Sequence, residues 1–113
     1  MSEKSNSAEI RIDVNYAIEL ITEIFQAKSC NHYEAKTIAE RLCGSNLKGH
    51  DSHGIARVPR YVEWMERGWL YPNMKPELVV DAGAMACLDA KQGFGQIAGE
   101  CAVDEGIARA KKH

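Results

Sequence analysis

Apolar side chains recur at three- and four-residue spacing through the first part of the chain. This spacing predicts a helix that begins after Asp13, a favourable N-cap residue, and buries one apolar face made of Ala17, Ile18, Ile21, Ile24 and Phe25. A second helix is predicted to begin near residues 32–34 and to run towards Leu47, with an inner stripe of Ala35, Ile38, Ala39 and Leu42. The two helices form a hairpin with its turn at 28–31.

The second half of the chain changes character. Pro59 suits the first turn of a short third helix that carries Tyr61, Val62 and Met65 and ends at Gly68. Prolines interrupt residues 71–76, and two short strands follow at 78–80 and 85–88 with a turn at 81–83. A last amphipathic helix is expected to turn five residues inward: Ile97, Cys101, Ala102, Ile107 and Ala108.

The expected fold class is therefore α/β, an N-terminal helical hairpin followed by short strands and a further helix. Residues 1–9 are polar and are expected to form a flexible tail, and residues 10–113 to form one unit. Two strands with nothing after the last helix would leave an unpaired sheet, which indicates the N-terminal portion of a larger domain.

Composition narrows the possible partners. The 113 residues, 45% of them hydrophobic, suffice for one core, and 14 basic against 16 acidic side chains leave a formal net charge of -2. No basic excess favours nucleic acid or a membrane surface, and no apolar run is long enough for a signal peptide or a membrane span, so we expect a cytoplasmic protein. The four dispersed cysteines are expected to be reduced, with a bond between Cys30 and Cys43 as the alternative.

A glycine motif lies between the second strand and the last helix. "GFGQIA" at 93–98 fits the G-x-G-x-x-A form of a dinucleotide-binding loop, whose glycines let backbone N–H groups approach a pyrophosphate. The acidic residue that should follow about 20 positions later would lie beyond His113. A tight turn with close helix packing explains the same glycines.

The densest cluster of polar side chains is "GHDSHGIARVPRY" at 49–61. Imidazole exchanges a proton near neutral pH, so His53 is a candidate general acid or base. Arg57, four residues later, can bind a carboxylate in a two-pronged contact. Together they suit a 2-oxo or 2-hydroxy acid. Two alternatives remain: a metal site built on His50 and His53 with Asp51, and a polar loop whose histidine caps the next helix.

Four aromatic residues follow this cluster: Tyr61, Trp64, Trp69 and Tyr71. Without an accompanying basic stripe they are more typical of a core or a subunit contact than of a surface that stacks bases. They support a competing hypothesis, a non-catalytic helical module that dimerises through this segment.

The same stretches resemble one known family. "DSHG" with the downstream R-x-P-x-Y, together with "IRIDV", "RGWLYPN" and "LDAKQGFGQIAGECAVDEGIARAKKH", is similar to the malate/L-lactate dehydrogenases of the non-Rossmann type. That family includes hydroxycarboxylate, ureidoglycolate, sulfolactate and diketogulonate oxidoreductases.

The resemblance implies an NAD(P)-dependent oxidoreductase that acts on a small carboxylic acid. His53 would be its catalytic acid/base, and Ser52 and Arg57 would bind the substrate. The cofactor would be NAD or NADP, held by residues that the resemblance does not identify in this chain, with Gly93 and Gly95 as a helix-entry turn. The resemblance also implies a homodimer and a chain that is an N-terminal fragment.

Overall fold

The structure is a computed structural model that describes residues 9–113. In chain order its elements are α1 (Val14–Ala27), α2 (His32–Leu47), two single 3₁₀ turns (Asp51–His53 and Ile55–Arg57), α3 (Val58–Glu66), β1 (Glu77–Ala82), β2 (Met85–Asp89) and α4 (Gly95–Lys112). The predicted α/β class and the order of its elements are confirmed. The tail predicted at 1–9 lies, apart from Glu9, outside the described residues.

The core lies between α1 and α2. The Asp13 carboxylate accepts from the backbone N–H of Tyr16 at 3.0 Å, and the Asn31 amide oxygen accepts from that of Glu34 at 2.8 Å, so each helix begins at a capped residue. Both predicted stripes face inward, although Ile18 and Ile24 are only half-buried. The largest fully buried side chains of the core are Phe25, Phe94, Ile38 and Leu42. Each contributes about 1.5–3 kcal/mol by its burial.

Asn73 ties the proline-containing loop to the turn of the helical hairpin. Its side chain accepts from the backbone N–H of Asn31 at 2.8 Å and donates to the carbonyl of Ser29 at 2.7 Å. Its own backbone N–H donates to the buried Glu34 carboxylate at 2.7 Å. Asn73 has φ of 61°, a left-handed conformation that asparagine tolerates. One residue thus supplies three bonds between segments that are far apart in sequence.

The strands form one antiparallel hairpin. Ala82 pairs with Met85, so the turn lies at 83–84 rather than at 81–83, and Gly83 takes φ of 66° there. Every residue of β1 is exposed, and α4 contacts α2 and β2. The expectation that Ala102, Ile107 and Ala108 turn inward is wrong: all three are exposed, because no described element packs on that face.

The described part of the chain is elongated. Its radius of gyration is 17.1 Å, against about 13 Å for a compact domain of this length.

The four cysteines are free thiols, Cys30 and Cys43 buried, as the sequence predicted. Burial, together with the neighbouring Glu34 carboxylate, raises the pKa of Cys30, and burial raises that of Cys43. No helix within residues 9–113 has the length and apolar character needed to cross a bilayer.

Candidate active site

The side chain of Asn46, on the last turn of α2, shapes the loop that carries the DSHG motif. Its Oδ1 accepts from the backbone N–H of Ile55 at 2.8 Å, and its Nδ2 donates to the Asp51 carboxylate at 2.9 Å. The backbone N–H of His50 donates to the carbonyl of Ser45 at 2.8 Å. The loop is therefore folded back onto the end of α2.

Gly54 is required by this arrangement. The residue is buried, and a Cβ at this position would lie 2.7 Å from Nδ2 of Asn46 and closer still to its Cγ and Oδ1 atoms. Because its φ is −100°, the reason for glycine is the space taken by Asn46 and not the backbone conformation. Glycine in the DSHG motif thus lets the loop approach α2.

His53 lies in the first 3₁₀ turn with its ring exposed to solvent. The Ser52 hydroxyl lies 3.0 Å from Nδ1 of His53, within hydrogen-bonding distance. That contact holds the ring and leaves Nε2 free to exchange a proton with a ligand. The predicted alternative, a histidine that caps the next helix, is wrong, because α3 has no side-chain cap and begins with Pro59 in its first turn.

Arg57 and His53 line the same cavity, of about 370 Å³. The two residues lie on separate 3₁₀ turns, which Gly54 divides. Nε of Arg57 donates to the carbonyl of Ser52 at 3.0 Å, and this is the one hydrogen bond of the Arg57 side chain among residues 9–113. The two terminal nitrogens of the guanidinium remain available to a carboxylate.

The sequence analysis did not place the other side chains of this cavity beside His53 and Arg57. Its full lining is Arg41, Leu42, Ser45, His53, Arg57, Tyr61, Trp64 and Gln96. Gln96 donates to the Tyr61 hydroxyl at 3.2 Å, and the rings of Tyr61 and Trp64 stack with centroids 5.8 Å apart. The R-x-P-x-Y pattern already contained Tyr61, whereas Arg41 and Gln96 come from distant helices and carried no signal.

The four aromatic residues that are close together in sequence do not form one surface in the structure. Tyr61 and Trp64 are half-buried and line the cavity, while Trp69 and Tyr71 are exposed. The guanidinium carbon of Arg67 lies 5.0 Å from the Trp69 ring, a cation–π contact. Only the exposed pair is placed for the subunit contact that the competing hypothesis requires.

Next to the cavity, α2 and α4 are joined through Glu100. Its carboxylate accepts from the Tyr33 hydroxyl at 2.5 Å and from Nη2 of Arg41 at 2.7 Å. These bonds lower the pKa of Glu100, and the bond to Glu100 raises that of Tyr33. Arg41 thereby lies between this cluster and the cavity of His53.

Packing within the chain explains the first glycine of the motif. A Cβ on Gly93 would lie 2.9 Å from Cβ of Met74 and 3.0 Å from the carbonyl of Ala90, so close packing excludes a side chain there. Phe94, which precedes α4, is buried against Phe25 with ring centroids 5.7 Å apart. The motif thus forms a helix-entry turn, with Phe94 immediately before α4 and Gly95 as its first residue.

His50 and His53 are the two histidines of the alternative metal site. The rings of His50 and His53 have centroids 4.0 Å apart. In the part of the chain that the structure describes, no group of three or more histidine, cysteine, aspartate or glutamate side chains is placed to hold a metal ion. The paired rings alone do not make up a ligand set of the usual size.

Comparison with known proteins shows what this arrangement is similar to. The sequence pattern of the family described as malate/L-lactate dehydrogenase matches residues 12–113. Hydroxycarboxylate dehydrogenase B from Escherichia coli is 38% identical over 103 residues, which cover 91% of this chain and 28% of that protein. A Δ1-pyrroline-2-carboxylate/Δ1-piperideine-2-carboxylate reductase from Pseudomonas putida is 30% identical over 98% of this chain and 33% of its own length.

A solved structure agrees with the sequence comparison. Malate dehydrogenase from Pyrococcus horikoshii superimposes with a TM-score of 0.86 at 27% identity, over 99% of this chain and 33% of that one. The chain thus spans about a third or less of the length of these relatives. On the match of nearly the whole sequence and of the fold, this chain belongs to the malate/L-lactate dehydrogenase family.

Proposed function

We propose that this chain supplies the proton-transfer and carboxylate-binding residues of an NAD(P)-dependent oxidoreductase for small 2-hydroxy or 2-oxo carboxylic acids. One observation carries the proposal: His53 and Arg57 line one cavity, and both keep free the nitrogens that such a substrate requires. The relatives named above, dehydrogenases and a reductase of carboxylic acids, support the same reaction class.

Each residue has a separate task in this proposal. The terminal nitrogens of Arg57 bind the substrate carboxylate as a planar fork. His53 gives a proton to the carbonyl oxygen during reduction and takes it from the hydroxyl during oxidation. Ser52 holds the imidazole through Nδ1. We propose that it also contacts the substrate from beside the cavity, whose lining does not include it.

The nicotinamide cofactor, NAD or NADP, supplies or accepts the hydride when bound. We propose that most of its contacts come from segments of the whole protein outside residues 9–113, because this chain spans about a third or less of the length of its relatives. We also propose that the whole protein is a cytoplasmic homodimer. The exposed Trp69 and Tyr71 are candidates for its subunit contact.

The test is oxidation of NADH and NADPH by the protein from the whole reading frame, with a panel of 2-oxo acids. We expect His53→Ala to lower kcat by about 10²- to 10⁴-fold, the usual contribution of a general acid. His32→Ala is the matched control, because His32 is exposed at the start of α2 and lies outside the cavity lining. A His53→Ala protein within threefold of the unmodified one would refute the role of His53.

Absence of turnover with every acid would instead favour the non-catalytic dimerisation module. In that case Trp69→Ala should weaken self-association in analytical ultracentrifugation, while titration with either cofactor gives no binding signal. Retained self-association in Trp69→Ala would argue against that module as well.

A further inference from the structure

The charge of the cavity lining is unbalanced. It contains two arginines, Arg41 and Arg57, and one histidine, and none of its described residues is a carboxylate. The chain as a whole has a net charge of -2, so this concentration of basic groups is local. One carboxylate of a substrate needs only one guanidinium, and the proposed function leaves Arg41 without a role.

Arg41 is held in a way that suits a binding residue. Among residues 9–113 its guanidinium has one hydrogen-bond partner, the Glu100 carboxylate, which takes Nη2 at 2.7 Å. The Tyr33 hydroxyl holds the other oxygen of that carboxylate. Glu100 lies in the hollow on the far side of Arg41 and does not line the cavity of His53. The bond therefore restrains Arg41 from outside and leaves Nε and Nη1 unpaired by the described residues.

We infer that Arg41 is a specificity-determining residue that binds a second carboxylate of the substrate, at the opposite end from the carboxylate bound by Arg57. The inference rests on the proposed function and narrows it to 2-oxo and 2-hydroxy dicarboxylic acids. Arg57 comes from the second 3₁₀ turn and Arg41 from α2, so a molecule between them contacts two separate elements. A cavity of about 370 Å³ lies within the range for small-molecule sites.

The test compares two substrates of equal carbon number, oxaloacetate and 2-oxobutanoate, which differ by a carboxylate in place of a methyl group. The measured quantity is the ratio of kcat/KM for oxaloacetate to that for 2-oxobutanoate. In Arg41→Met we expect this ratio to fall about 10- to 100-fold, the range for loss of a charge-assisted hydrogen bond. Arg41→Lys keeps the charge and should recover part of the ratio.

Arg60→Met is the matched control, since Arg60 is an exposed arginine on α3 outside the cavity lining. Its ratio should equal that of the unmodified protein. A general loss of folding in Arg41→Met would lower both kcat/KM values together and leave their ratio unchanged. An unchanged ratio in correctly folded Arg41→Met, verified by circular dichroism, overturns the inference.

Calorimetric titration with oxaloacetate separates this inference from the proposed function. If the unmodified protein reduces neither acid, the proposed function fails. If, relative to Arg60→Met, Arg41→Met loses more affinity for oxaloacetate than for 2-oxobutanoate in such titrations, the second carboxylate site is still supported. An equal change for the two acids would refute it.

Discussion

Replacement of Gly54 by alanine tests the packing that shapes the candidate site. The added methyl group would overlap the Asn46 side chain, which has to move and release its bonds to Ile55 and Asp51. Loss of the partner of the half-buried Ile55 N–H costs about 1–3 kcal/mol, and loss of the exposed bond to Asp51 about 0.5–1 kcal/mol. Alanine also lowers the conformational entropy of the unfolded chain, which stabilises the folded protein by about 0.4–1 kcal/mol. We expect a net destabilisation of about 2 kcal/mol.

A double-mutant cycle shows whether Asn46 is the cause. In an Asn46→Ala background both hydrogen bonds are already absent, so Gly54→Ala should then cost less than about 0.5 kcal/mol. The free energy of unfolding is measured by urea titration with far-ultraviolet circular dichroism. Gly99→Ala serves as the control, because within residues 9–113 its added Cβ would have no neighbour closer than 4 Å outside the backbone of α4, and alanine should stabilise that helix by about 0.5–1 kcal/mol. An equal cost of Gly54→Ala in both backgrounds would refute the steric explanation.

Three further predictions concern contacts between distant elements. Arg109 donates to the carbonyls of Gly83 and Met85, so Arg109→Ala should speed amide hydrogen exchange in the β-hairpin, whereas Lys111→Ala should not. Hydrogen bonds lower the pKa of Glu100, so this carboxylate stabilises the fold above pH 4.5, and the advantage over Glu100→Gln in urea titrations should vanish as the pH falls below that value. Asn73→Gly keeps the backbone conformation but loses two side-chain hydrogen bonds, so it should lower the free energy of unfolding by about 1–2 kcal/mol.

Short-range patterns explain why the helices were predictable from the sequence. Asp13 caps α1 with a bond to a residue three positions away, and the inner stripes of α1 and α2 repeat every turn. Both features involve residues only a few positions apart, so a short stretch of sequence is enough to detect them. The inner face assigned to α4 was wrong at Ala102, Ile107 and Ala108, because amphipathic spacing shows which side chains share a face and not whether an element packs on it.

The residues of the candidate site likewise fall into two groups, those that a short motif predicted and those that it did not. His53 and Arg57 were predicted from one short motif and from its resemblance to a family. In the structure both side chains line the same cavity. Their chemical roles stay predictions. Arg41 and Gln96 could not be predicted, since they reach the cavity from helices that are distant in sequence. Asn73 was missed for the same reason, because its partners lie on the turn of the helical hairpin.

The hydrogen bonds that fold the DSHG loop join residues close to one another along the chain. Asn46 reaches Ile55 over nine positions, and the bonds from His50 to Ser45 and from Arg57 to Ser52 span five. Closing such short loops costs little chain entropy, so the loop needs few long-range contacts to take its shape. The orientation of His53 and Arg57 is therefore a local property of residues 45–57. Changes in the more distant walls of the cavity can alter the choice of substrate while leaving these two side chains in place.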